Sequence, residues 1–118
     1  MIELPPSASM REYQSYIHAL EEQHGWLDVD LVHNCFLMGE EVGELFKAVR
    51  NLEEARLTSG ADGKDSSEEL SAIGEEIVDV FNYLLAIANR LEIDVEQAFR
   101  SKNERNQTRT WTATLGSD

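Results

Sequence analysis

At 118 residues the chain is long enough for one compact domain with a real core, and 42% hydrophobic with 28% charged residues is the make-up of a globular protein, not a disordered or membrane-spanning one. A formal net charge of -13 excludes binding of nucleic acid or an anionic membrane through the overall field, because phosphate surfaces demand a cationic partner. Clustered carboxylates can still meet phosphate through a divalent cation held between them.

The opening MIELPPSASM has no basic stretch leading into an apolar run, and no later segment approaches the length needed to span a bilayer, so a cytoplasmic location is expected. Helical spacing prevails throughout and no stretch alternates as a strand does, which predicts an all-α fold in a single domain over residues 1–118. Ser9 and Glu12 form a Ser-x-x-Glu capping pattern, so a first helix should run from there to about Gln23, before HGW interrupts it. A second begins after Asp28 or Asp30 and continues to about Arg56, past the lone Cys35, expected to be a small buried apolar residue. LTSGADGKDSS reads as a loop. Ser66 and Glu69 repeat the capping pattern ahead of a third helix from about Ser67 to Leu91. A fourth starts after Asp94, with Gln97 at the reciprocal capping position, and extends into FRSKNERNQTR. The tail TWTATLGSD shows no period. The expected architecture is an antiparallel bundle of about four helices with the second and third at its centre.

Two stretches stand out: GEEVGELFKAV on the second helix and GEEIVDVFNYL on the third align Glu40, Glu41 and Glu44 with Glu75, Glu76 and Asp79. At about 100° per residue, Met38, Val42, Leu45 and Val49 mark the expected core line of the second helix, with Glu41 at its border and Glu44 one step further round. On the third helix Ile73, Ile77, Val80 and Leu84 mark the line, Glu76 borders it, Asp79 follows, and Tyr83 continues the acidic stripe. Four carboxylates brought together by antiparallel packing repel one another and lose hydration. Lys47 and Arg50 do not share the stripe, so the fitting compensation is a hard divalent cation taking oxygen ligands from two rigid helices.

These residues resemble the MazG-like nucleoside triphosphate pyrophosphohydrolases, whose pattern is ExxE followed by ExxD on two central helices. The chain departs from the pattern in a rather long insert between Glu44 and Glu76. The resemblance implies cleavage of (deoxy)nucleoside triphosphates between the α and β phosphates, with Mg²⁺ as cofactor and Mn²⁺ as its substitute. It further implies Glu41 and Glu44 as the ExxE ligands and Glu76 and Asp79 as the ExxD ligands. Metal ions bridging carboxylates and phosphate oxygens would reconcile an acidic site with an anionic substrate. A carboxylate left unsaturated could act as general base, either Glu41 or its outward neighbour Glu40.

Direct phosphate donors are sought in RSKNERNQTR, where Lys102, Asn106 and Arg109 would share a helical stripe with Arg105 beside them. A base needs an apolar platform. Tyr83 and then Trp26 are the candidates, with Tyr16, His18, His33, Asn34 and Asn82 as further contributors. Val78, Leu85 and Phe36 fall away from the core lines, which calls for subunit packing, and the resemblance favours a homodimer or a dimer of dimers. Two other readings compete. A carboxylate-bridged di-iron bundle requires Glu-x-x-His, and no His follows either motif by three. A non-catalytic acidic helical interaction module would show neither metal dependence nor core-edge acids.

Overall fold

The computed structural model of the chain describes residues 1–59 and 66–109. Among the described residues there are four α-helices and no strand: α1 Met10–His24, α2 Leu31–Ser59, α3 Ser67–Arg90 and α4 Val95–Thr108. The GADGKD part of the expected loop, residues 60–65, and the tail from residue 110 onward with Trp111, lie outside the described residues.

Local chemistry accounts for most of the boundaries. At the start of α1 the capping box is closed: Ser9 Oγ accepts from Glu12 N at 3.2 Å and Glu12 Oε1 accepts from Ser9 N at 2.9 Å. The helix stops at Gly25, whose φ of 73° is left-handed, which lets its N–H reach back to Glu21 and Glu22 carbonyls. Of the two aspartates proposed to open α2, Asp30 is the one that caps, its Oδ2 accepting from Val32 N at 3.1 Å and His33 N at 3.3 Å. At α3 the expected box does not form. Ser66 has φ −105° and ψ 21°, outside the extended conformation an N-cap needs, and its side chain makes no capping bond. Asp94 opens α4, accepting from Gln97 N at 3.0 Å, and also takes Arg11 of α1 at 2.7 Å.

α3 is the hub, packing against α2 along its length and against α1, while α4 packs on α1. Glu41 lies beside Glu76 and Asp79, and Asn34, two turns earlier on α2, lies beside Arg90, further along α3; the two helices therefore run antiparallel. The buried cluster consists of Ile17, Leu85 and Ala86, with Met10, Tyr16, Leu20, Phe81 and Val95 packed against it; Ala48 and Leu52 are buried on α2.

Several expected placements are corrected. Leu85, expected to face outward, is the most buried residue at 1% exposure, because α1 covers the side of α3 that α2 leaves free. Val49, Ile77 and Leu84, expected in the core, are exposed. On both helices the packed face is turned by roughly 60° from the most apolar line, toward Asn34, Glu41 and Ala48 on α2 and Glu76 and Tyr83 on α3. Cys35 is exposed for the same reason, standing a helical step outside buried Asn34.

Candidate active site

The turned faces bring carboxylates together. Glu41, Glu76 and Asp79 each offer an oxygen, and these oxygens all lie within 4.8 Å of one another. Glu41 and Glu76 are half-buried and Asp79 is exposed. Spacing explains the convergence: Glu76 and Asp79 are one turn apart on α3, and Glu41 faces them across the antiparallel contact. The electrostatics are unfavourable as the residues stand. Burial raises the Glu41 carboxyl above its ordinary value, and the charges of Asp79 and Glu76, hydrogen bonding to Glu76 and the charge of Glu44 push it further the same way. Glu76 Oε2 is buried and has no hydrogen-bond partner among the described residues. Three oxygen donors in one cluster, one of them orphaned, fit a hard divalent cation.

Beside the cluster opens a cavity of about 560 Å³, within the range of small-molecule sites. Glu41 and Asp79 form one end of its lining. The rest comes from Ile17, Leu20 and Glu21 of α1, Trp26 and Val29 of the α1–α2 loop, His33, Asn34 and Leu37 of α2, and Asn82, Tyr83 and Ala86 of α3. Burial, then the negative charges of Glu41, Glu40, Asp79 and Glu21, raise the Tyr83 hydroxyl above its normal range, so it remains a neutral donor at physiological pH. Trp26 stacks on His24 with ring centroids 4.5 Å apart and an interplanar angle of 19°.

The residues singled out by sequence separate into three groups. Glu41, Glu76, Asp79, Tyr83 and Trp26 meet at the cluster and cavity, joined by His33, Asn34 and Asn82. Glu44 and Glu40 are exposed, outside the three-carboxylate group, yet the charge of Glu44 reaches Glu41 and that of Glu40 reaches Tyr83. Lys102, Arg105, Asn106 and Arg109 do not line the cavity within one chain; they lie on or just after α4, which packs on α1. Tyr16 packs against the core instead, and His18 lines a separate groove with Arg11 and Gln14.

Sequence reasoning missed Glu21 and Arg90. Glu21 is 7% exposed and pairs with Arg90 at 3.2 Å. A signal existed: Met10, Gln14, Ile17 and Glu21 form one helical stripe, the one that α1 packs inward. Two polar residues on that stripe announce internal partners.

With this geometry in view, the comparison with known proteins is decisive: the model of the MazG nucleotide pyrophosphohydrolase domain matches residues 34–112, two thirds of the chain. The chain belongs to the MazG family. All three clustered acids fall inside the matched region, as do Asn82 and Tyr83, whereas Glu21 and Trp26 precede it. Membership makes the chain one of a family of hydrolases acting on nucleotides, generally with a metal, and the acidic cluster is a candidate place for that metal. No curated protein matches the chain.

Proposed function

We propose that this MazG-family chain is a Mg²⁺-dependent pyrophosphohydrolase that cleaves nucleoside or deoxynucleoside triphosphates between the α and β phosphates, yielding monophosphate and pyrophosphate in nucleotide-pool house-cleaning in the cytoplasm. The observation that carries this reading is the adjacency of the Glu41–Glu76–Asp79 cluster and a nucleoside-sized cavity walled by Trp26 and Tyr83. Glu41, Glu76 and Asp79 would hold Mg²⁺, with Glu44 completing the set when its side chain turns inward, and Mn²⁺ would substitute. Bound there, the ion supplies Lewis-acid polarisation of phosphate oxygens and offsets their charge.

The chain's own groups do the remaining work. Trp26, Leu20, Leu37 and Ala86 give the base an apolar surface, and Asn34, Asn82, His33 and the Tyr83 hydroxyl supply polar contacts. Either Glu41, through an oxygen not taken by the ion, or its exposed neighbour Glu40 at the rim would act as general base.

The cations of α4 and the exposed apolar residues point to a homodimer or homotetramer. Leu70, Ile77 and Leu84 recur every seven residues on α3, with Leu91 at its C-cap continuing the spacing, and each is about half exposed, the spacing of a helical seam that awaits a partner. Phe46 and Val49 of α2 are exposed on the same side of the antiparallel pair. Packing a second copy there would cover this face and allow Lys102, Arg105, Asn106 and Arg109 to reach a neighbouring site.

Purified protein incubated with a panel of canonical and non-standard (d)NTPs and Mg²⁺ should release pyrophosphate. Silence across the panel overturns the reading and leaves the non-catalytic acidic interaction module in its place. Glu41→Gln and Asp79→Asn should each abolish turnover while the helical circular-dichroism spectrum persists.

A further inference from the structure

The α1–α2 loop supplies Trp26 and Val29 to the cavity wall; the turn at Gly25 and the Asp30 cap fix its ends, and two backbone bonds shape it from within, Trp26 N donating to the Glu21 carbonyl at 2.8 Å and Val29 N to the Trp26 carbonyl at 3.1 Å. Its side-chain anchor comes from α3. Arg90, the last residue of that helix, donates through Nη1 to the Val29 carbonyl and through Nη2 to the Trp26 carbonyl at 3.0 Å and to Glu21 Oε2 at 3.2 Å. With the Asn34 amide oriented so that its oxygen faces the guanidinium, Asn34 also accepts from both terminal nitrogens at 3.3 Å. One side chain thus joins the ends of α1 and α3, the start of α2 and the loop between α1 and α2. Four of the residues it bonds, Glu21, Trp26, Val29 and Asn34, line the cavity, and Arg90 itself does not. Its side chain is 17% exposed and that of Glu21 9%, so solvent does little to weaken the pair.

We propose that Arg90 is a positioning residue: it clamps the Trp26–Val29 segment as a fixed wall for the base and thereby sets substrate affinity and base preference without entering the chemistry. This rests on the proposed function, because the wall has a substrate to position only if the cavity takes a nucleotide. The guanidinium fork is what the role requires. Its two terminal nitrogens serve acceptors on separate segments at once, which a single ammonium cannot do.

The test is Arg90→Lys in a Trp111→Phe background, where Trp26 is the one tryptophan left. Lysine keeps a cation beside Glu21 but gives up the fork. The expected result is KM raised about tenfold or more for the best substrate with kcat within about twofold, a narrowed spread of kcat/KM across bases, and added fast local motion in Trp26 fluorescence anisotropy. An unchanged KM and base spread overturns the proposal, as does a loss confined to kcat. If the variant fails to fold, the parent Trp111→Phe protein decides the matter: Trp26 should tumble only with the whole molecule, and independent sub-nanosecond motion overturns the clamp. Should the parent hydrolyse no triphosphate, the proposed function falls, and the clamp is then judged on the anisotropy of Arg90→Lys, where unchanged Trp26 motion refutes it.

Discussion

At the residue scale the three clustered carboxylates are a structural liability as they stand and a candidate place for a cation. Without a cation each repels the others, and the Glu41 carboxyl is raised first by burial and then by the charges of Asp79 and Glu76. Linkage gives the sign. The folded state holds the Glu41 proton more tightly than the unfolded chain does, so this group's contribution is fully present below the ordinary carboxylate value near 4.5 and is lost as pH rises through the raised folded value. Thermal melts in chelator should therefore show stability declining over that interval, and Mg²⁺ should flatten the decline; equal slopes with and without Mg²⁺ would count against a metal at this cluster. Glu76→Gln relieves the same repulsion, so it should raise the melting temperature of metal-free protein while lowering turnover by about 10²–10³-fold, the scale for losing one preorganised charged group. Both readings come from one variant, which separates a functional role from a structural one.

Among the elements, α1 ends where a single backbone conformation lets it end. A Cβ at Gly25 would meet nothing within 4 Å, so the cost of Gly25→Ala is conformational alone, about 1–2 kcal/mol for a left-handed non-glycine residue. Chemical denaturation measures that cost, and because Trp26 is the next residue, the variant should also raise KM. At the other end of the helix, Ser9→Ala opens the capping box and should cost about 1 kcal/mol with no effect on catalysis, since nothing near Ser9 lines the cavity. Leu85→Ala removes the most buried side chain at the junction of α1 and α3 and should cost about 2–5 kcal/mol.

For the molecule as a whole, the unfinished feature is its surface. The radius of gyration is 18.0 Å, against roughly 13–14 Å for a compact chain of this length, and the exposed side of α2 and α3 carries Phe46, Val49, Leu70, Ile77 and Leu84. A second copy would bury that face. On the proposal that two copies pair through this face, Ile77→Asp combined with Leu84→Asp should leave a monomer in light scattering and, if α4 cations of one subunit serve the site of another, should lower activity in parallel. A wild-type protein that is monomeric at micromolar concentration would contradict the subunit proposal.

What the sequence determined by itself was local and periodic. Helical spacing without strand alternation specified four helices, and the capping residues Ser9 and Asp94 placed two starts correctly. The doubled acidic motif marked Glu41, Glu44, Glu76 and Asp79 as one set, and folding groups three of them while leaving Glu44 exposed outside the group. Ser66 misled because a capping pattern is only an opportunity: the backbone entering α3 does not take the extended conformation that would let it close. Tertiary structure alone decided the rotation of α2 and α3. Apolar content points each helix toward Val49, Ile77 and Leu84, but the faces that meet are those carrying Asn34, Glu41, Glu76 and Tyr83, since a helix wheel ranks the sides of one helix and cannot register which neighbour occupies each. The Glu21–Arg90 link, 69 residues apart in the chain, belongs wholly to that level, because its partners come from three helices and a loop that only folding brings together.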